Sequence, residues 1–398
     1  MSDEIGGVDV APSRALRKGA LPDPFTRALY SCAPYRGCGH GCRYCDGRAE
    51  KYYVEGDFER DIERRTNLPD LLANELPALR DRGIISLGSG VTDCYQPCER
   101  VLRITERCVP LLAEKGWPVL VMTKSALVRR DMAGWMAVNR GGGFLLFMTV
   151  TAVDETIRGL MEPGASPYRE RLETLAAFSA AGAVTGALAM PILPLLSDDD
   201  ASLRALFGAL KECGVSFVMP GGLTLRPGRQ KETYLATVRS TRPDLLADYG
   251  RLYGEERPSG APIRTASEAL NRRAGALLRE FDLAWTLPHR VHARVLPAHD
   301  SFRILLRDMA ELYAERGIET RPLAAAADRY DRWLKEVRTQ FRRRRTLGAD
   351  WLQDRFLNAT ELGELDGVLK NAKLAAFARE VILGGKRLDY LSLKLADG

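Results

Sequence analysis

Pro34-Tyr35-Arg36-Gly37-Cys38-Gly39-His40-Gly41-Cys42-Arg43-Tyr44-Cys45 sets three cysteines at the spacing C-x3-C-x2-C, with an aromatic residue directly before the third. Gly37, Gly39 and Gly41 free the backbone to curl, so that three thiolates converge on one point. The segment follows a strand predicted over Arg27 to Ser31. That puts it in a loop at the C-terminal end of a strand, where parallel α/β folds carry their chemistry. Three thiolates at this spacing suit three irons of a [4Fe–4S] cluster. The nearest further cysteine is Cys32, six residues upstream, so the fourth iron is left open for a substrate or cofactor. The competing reading is a Cys3His zinc site that uses His40, although structural zinc ligands usually come as two separated pairs.

The rest of the chain agrees with a metal use of these thiols. Eight cysteines occur in 398 residues, half of them within 32–45 and none after Cys213. No stretch approaches the ~18 apolar residues of a membrane span, and the N-terminal residues lack the apolar region of a secretory signal. A cytoplasmic protein without a membrane partner is expected, in a compartment where disulfides are not the default use of cysteine. Charged residues are 28% and hydrophobic residues 45% of the chain, which excludes a disordered or fibrous protein. The net charge of +6 is mild for a nucleic-acid enzyme.

Short apolar runs alternate with amphipathic stretches from about residue 27. Gly83–Leu87, Pro118–Met122, Phe144–Val150, Val184–Met190 and Val215–Met219 read as buried strands. Val101–Lys115, Pro167–Ala181 and Asp198–Cys213 read as helices closed by glycines. This order implies parallel strands with covering helices. The fold class predicted is α/β, a partial (β/α)6 TIM-like barrel with a mostly helical C-terminal extension. The expected divisions are an arm over 1–26, a core over 27–235 and a helical region over 236–398. In the last, Ser301–Gly317 and Asp328–Arg345 read as helices, the second ending in Arg342-Arg343-Arg344-Arg345, and Asn358–Leu383 reads as two more.

C-x3-C-x-aromatic-C resembles the signature of the radical S-adenosylmethionine (SAM) superfamily. The flanking residues are similar to the branch that contains spore photoproduct lyase and its DNA repair photolyase relatives. Gly90-Val91-Thr92-Asp93-Cys94-Tyr95-Gln96-Pro97, Thr123-Lys124-Ser125, Glu162-Pro163, Arg169-Glu170-Arg171-Leu172 and Pro191-Ile192-Leu193-Pro194 resemble that branch's landmarks in order. The resemblance implies that Cys38, Cys42 and Cys45 bind a [4Fe–4S] cluster whose open iron takes the amino and carboxylate groups of SAM. One electron then cleaves SAM to methionine and a 5′-deoxyadenosyl radical, which abstracts a hydrogen atom from substrate. It also implies a reductant such as flavodoxin or ferredoxin.

Site roles follow from the same resemblance. Tyr44 would lie beside the adenine. Thr92 and Asp93 would take the SAM amino group, Lys124 with Ser125 the carboxylate, and Thr149 and Thr151 the ribose. Packing, helix capping and β-propensity are the ordinary uses of the same residues. Cys94 stands where the branch has proline. It is the candidate catalytic thiol, a hydrogen-atom donor to the product radical, although its register is not that of the branch's cysteine. Cys94 and Cys98 together could instead form a redox pair or ligate a second cluster. Asp46-Gly47-Arg48 departs from the branch's aromatic-Ala-Arg, which separates substrate identity from superfamily membership. Arg338 and Arg342–Arg345, with Phe341, suggest contact with phosphates, and His289, His292 and His299 read as structural or substrate-facing. The leading function is a lyase or repair-like reaction on nucleic acid. The alternatives are radical modification of an RNA, peptide or natural-product precursor, and a zinc-containing nucleic-acid-binding module without catalysis.

Overall fold

The computed structural model describes residues 7–88 and 91–398. Gly90 of the Gly90–Pro97 stretch lies outside them. Six strands carry the core: β1 (Ala28–Cys32), β2 (Ile84–Leu87), β3 (Val119–Thr123), β4 (Phe144–Thr149), β5 (Val184–Ile192) and β6 (Phe217–Gly222). They lie side by side in chain order, with the short strand Arg17–Lys18 beyond β1. β3 runs parallel to β4 from Val119↔Phe144 to Thr123↔Met148, and β4 to β5 from Leu145↔Val184 to Thr149↔Leu188. β5 and β6 are parallel too, with an irregularity between Pro220 and Gly222. Every residue of β2 and β4 is buried, as strands covered on both faces require. The architecture is the expected partial barrel with a helical extension.

The helices between the strands follow from apolar spacing and caps. α1 (Leu68–Glu75), α2 (Ile104–Glu114), α3 (Met132–Gly141), α4 (Tyr168–Ala180) and α5 (Asp200–Glu212) each connect neighbouring strands. In α5, Leu203, Leu206, Phe207 and Leu210 form the buried stripe, and the Asp199 carboxylate caps the first turn by accepting from Ser202 N at 3.0 Å. The single helix expected over Val101–Lys115 is interrupted. Arg103 adopts a left-handed conformation between Glu99–Leu102 and α2, and Val101 is left exposed rather than on the buried face.

The chain divides into two compact units. The first comprises 1–16, 31–75 and 86–286. Beside the barrel strands it holds a small sheet, in which Val8–Val10 pairs parallel and Tyr35–Arg36 antiparallel with Glu63–Arg65. The helix α6 (Arg229–Thr241) follows β6.

The second unit comprises 17–30, 76–85 and 287–398. It is built on α7 (Ala298–Glu315) and α8 (Arg321–Arg343), followed by Trp351–Glu361, Glu364–Leu369 and Ala372–Ile382. The stretch Asn358–Leu383 thus holds two whole helices and the end of the one that begins at Trp351. The expected phosphate contact at Arg338 is corrected here. Arg338 is buried and donates to Asp300 at 2.9 and 2.6 Å and to Asp81 at 3.2 Å. Phe341 is likewise buried. The three histidines are core residues of this unit. His292 is hydrogen-bonded to the Ser301 hydroxyl (2.9 Å) and the Tyr390 hydroxyl (3.1 Å), Tyr390 donates to Asp308 (2.7 Å), and Asp308 pairs with Arg27 (2.6 Å).

Candidate active site

The cysteine loop opens on the small sheet and is fixed by its own backbone. Cys38 N donates to Phe58 O at 2.9 Å. Gly37 and Gly41 take left-handed conformations (φ 82° and 61°), and a Cβ on Gly41 would meet the Glu59 carboxylate at 2.6 Å. Gly39 has no such backbone; its N–H donates to the Gln96 side chain at 2.7 Å. Gln96 in turn donates to Gly37 O (3.2 Å), and the Thr92 hydroxyl reaches the same carbonyl at 2.8 Å. The stretch after β2 thus clamps the loop from one side.

The turn at Met161–Ala165 clamps it from the other. Arg43 N donates to Met161 O and Gly164 N to His40 O, both at 2.9 Å. A side chain at Gly164 would run into Gly39 O at 2.5 Å, so only glycine permits this approach.

His40 sits between the cysteines with both ring nitrogens engaged. Nδ1 faces Gly164 O at 2.9 Å and Nε2 faces Asp93 Oδ2 at 3.1 Å. Both partners are acceptors, so each ring nitrogen has a protein group opposite it. His40 is not free to serve as a fourth ligand, which removes the Cys3His zinc reading. Asp93 is equally committed. Its carboxylate accepts from His40, from the Thr123 hydroxyl (2.8 Å), from Lys124 N (2.8 Å) and from Tyr95 N (2.8 Å). Burial raises its pKa, but His40 and these donors outweigh that and hold the carboxyl below its ordinary range.

Behind the loop lies a buried charged group. Tyr44 donates its hydroxyl to Glu162, and Glu162 pairs with Arg171. Arg171 also donates to Thr149 O (3.0 Å) and Ser166 O (2.8 Å). Thr151 joins Glu162 (3.3 Å) to the Tyr168 hydroxyl (2.6 Å). Glu162 and Arg171 are both fully buried. Burial pushes the Glu162 pKa up, and Arg171 and Lys124 bring it below the usual range.

Cys38, Cys42 and Cys45 are free thiols, the first two buried and the third partly so. Burial raises all three pKa values, that of Cys42 to about 12, and the thiols feel one another's charge. Lys124 faces Cys42, Cys45 and Glu162 and lies 5.7 Å above the Tyr44 ring. Burial lowers its pKa, but Cys42 and Glu162 more than compensate and keep it charged. Among the described residues no three His, Cys, Asp or Glu side chains close on a single point. A cube-shaped cluster asks for less convergence than one ion does, because each thiolate binds its own iron. Three thiols on one braced loop, two of them buried and the third partly so, with a cation beside Cys42 and Cys45, fit that group.

The expected site residues therefore divide. Tyr44 and Lys124 are brought to the three cysteines. Thr92, Asp93 and Thr151 lie alongside, with their polar atoms taken by protein partners. Ser125 caps the turn after β3 by accepting from Leu127 N at 3.3 Å. Cys94 is fully buried, its thiol 3.9 Å from Leu87 O and with Asp93 and Glu99 as its charged neighbours. Four residues that hold the site were given no role by sequence: His40 outside a zinc site, Gln96, Glu162 and Arg171. All lay inside or beside the recognised landmarks, but the partners of His40, Gln96 and Glu162 across the site are distant in the chain.

The family model for the radical SAM superfamily matches residues 33–206. An uncharacterized protein of Mycobacterium tuberculosis is 29% identical over 261 residues, which cover 64% of this chain and 75% of that protein. An uncharacterized protein of the Acidianus two-tailed virus is 24% identical over 198 residues, 46% of this chain and 63% of that one. Among solved structures, spore photoproduct lyase complexed with dinucleoside spore photoproduct superposes with a TM-score of 0.52 at 16% identity, over 69% of this chain and 79% of that one. The likeness to that structure is one of fold.

Proposed function

We propose that the chain, whose residues 33–206 match the radical SAM family model, is an enzyme of that superfamily that uses a [4Fe–4S] cluster and SAM, and that it abstracts a hydrogen atom from a nucleic-acid substrate in a lyase- or repair-like reaction. When bound, the cluster supplies the electron that splits SAM into methionine and a 5′-deoxyadenosyl radical. The observation that carries the reading is Lys124, directly after β3, facing Cys42 and Cys45 of the braced loop that also carries Cys38.

In this proposal the three cysteines hold the cluster. Cysteine binds metal as thiolate, so loading iron releases protons and metal affinity rises with pH. Lys124 holds the SAM carboxylate as a charge-assisted partner. The Tyr44 ring, fixed through its hydroxyl by Glu162, flanks the cofactor. Thr92, Asp93 and Ser125 position rather than bind: they set the loop, the Lys124 backbone and the turn after it. Thr149 and Thr151 form the floor under Tyr168 and Arg171. Cys94 keeps a packing role.

Nucleic acid as substrate class is supported by the landmarks shared with the spore photoproduct lyase branch. No described helix is long and apolar enough to cross a membrane, and eight free cysteines suit a reducing cytosol. A flavodoxin or ferredoxin is the electron donor we propose.

The test is anaerobic turnover with a strong reductant and SAM. 5′-Deoxyadenosine should form, and replacement of Cys38, Cys42 or Cys45 by alanine should abolish it. Lys124→Met should weaken SAM binding by about 10- to 100-fold, the range for loss of a charged hydrogen bond. Damaged and intact oligodeoxynucleotides, oligoribonucleotides and peptides are then compared for altered mass. Product on peptide alone would overturn the nucleic-acid assignment while leaving the cofactor chemistry intact.

A further inference from the structure

The positive charge of this chain is not shared evenly. The unit of residues 17–30, 76–85 and 287–398 holds 26 Lys and Arg against 18 Asp and Glu, a formal charge of +8, and the other unit carries −2, which together make the chain's +6. Part of the excess is spent internally, since Arg27, Arg303 and Arg338 are paired with buried or half-buried aspartates. The rest is displayed at one place. Arg342, Arg343, Arg344 and Arg345 are all exposed, and among the described residues none of them enters a salt bridge. Arg332 and Lys335, two to three turns back on α8, are exposed and unpaired in the same sense.

Favourable interaction with the helix dipole explains Arg342 and Arg343, which lie in the last turn. Arg344 and Arg345 lie beyond it. The backbone beyond the helix is tied to Arg80. Arg80 donates to Arg344 O at 3.3 Å and to Leu347 O at 2.7 Å. Its guanidinium lies 4.4 Å above the Phe341 ring, and Phe341 stacks on Trp351 with centroids 6.0 Å apart and planes 4° off parallel. Four guanidinium groups are thus presented from a braced turn beside a half-buried indole. A cluster of exposed arginines near an aromatic side chain suits a chain of phosphates with bases between them.

We propose that this end of α8, Arg342–Arg345 with Trp351 beside it, binds the phosphodiester backbone of a nucleic-acid strand. The inference rests on the reading of the substrate as nucleic acid and names the surface that holds it.

The experiment uses the full chain and a fluorescein-labelled 20-nucleotide DNA, single-stranded and duplex, in anisotropy titrations at several salt concentrations. Wild-type protein should bind with a steep salt dependence. The exposed quadruple variant R342S/R343S/R344S/R345S should bind about 100-fold more weakly at low salt, with the salt slope reduced by about three. Trp351→Leu should weaken the single strand more than the duplex. K370S/K373S, which removes two exposed lysines of the same unit, should leave affinity within about twofold. Equal binding by the arginine variant, or equal weakening by the lysine variant, would overturn the surface and leave the turnover result standing. No binding by wild-type protein would overturn it as well, and the mass analysis of turnover products decides separately whether nucleic acid is the substrate.

Discussion

The Tyr44 hydroxyl, beside the third cysteine, donates to the Glu162 carboxylate from 118 residues away, in a pocket where neither group meets water. Glu162 is simultaneously the counter-charge of Arg171. Glu162→Ala therefore leaves a guanidinium buried without its partner, which should cost about 3–5 kcal/mol. Glu162→Ala combined with Arg171→Met should cost less than the two changes added together, because neither charge is then stranded. Urea denaturation of the four proteins reads this coupling; additive losses would mean the pair is not a unit. Tyr44→Phe should cost about 1 kcal/mol, one hydrogen bond.

Gln96 is the second brace of the loop, through Gly39 N and Gly37 O. Gln96→Ala should release iron to a chelator several-fold faster than wild-type protein. Gln96→Glu retains the acceptor for Gly39 N and should recover part of the retention. If the alanine variant held iron as firmly as wild-type protein, the loop would need no such brace.

Cys94 has no hydrogen bond to the cysteine loop, Lys124 or Glu162 among the described residues. Cys94→Ala should leave both 5′-deoxyadenosine release and the product distribution unchanged, at a stability cost of about 1 kcal/mol for the lost buried sulfur. A new product, or a radical trapped on substrate, would restore the thiol as hydrogen-atom donor.

Burial pushes His289 down to about 3 and His292 well below its ordinary value, so both are neutral in the folded protein at pH 5 while the unfolded chain protonates them below 6.5. The unfolded state then binds more protons, and stability falls as pH drops below 6.5, by about 1.4 kcal/mol per pH unit for each histidine. Burial pushes Asp308 the other way, up to about 6, with Arg27 opposing. Between about 6 and 3.8 its folded form holds the extra proton and offsets one histidine. The denaturation midpoint should fall between pH 7 and pH 5, and His289→Asn should flatten the fall. A midpoint that does not move with pH would mean these rings are protonated in place.

The six strands were legible because each is a short apolar run bounded by polar or glycine residues, and β2 and β4 are buried on both faces as such runs imply. The cysteine motif was legible because its ligands are close in sequence. What escaped was long-range. Nothing near Glu162 announces that it will meet Tyr44, and nothing near Asp93 announces His40 as a partner instead of a cofactor. The helix expected over Val101–Lys115 failed at Arg103, a single left-handed residue that apolar periodicity does not register. Arg338 and its exposed neighbours read alike in a row of charges; only burial against Asp81 and Asp300 separates them.

Two bonds join the cysteine loop to the far end of the core: Gln230 to Tyr44 O at 2.9 Å and Arg226 to Asp46 at 2.6 Å. They span 186 and 180 residues. On the ribosome the motif emerges early, yet these ties become available only after β6 and the start of α6 have been synthesised. Closing contacts so distant is slow compared with local structure. The nascent thiols therefore wait through most of the synthesis of this unit before their loop is fully braced.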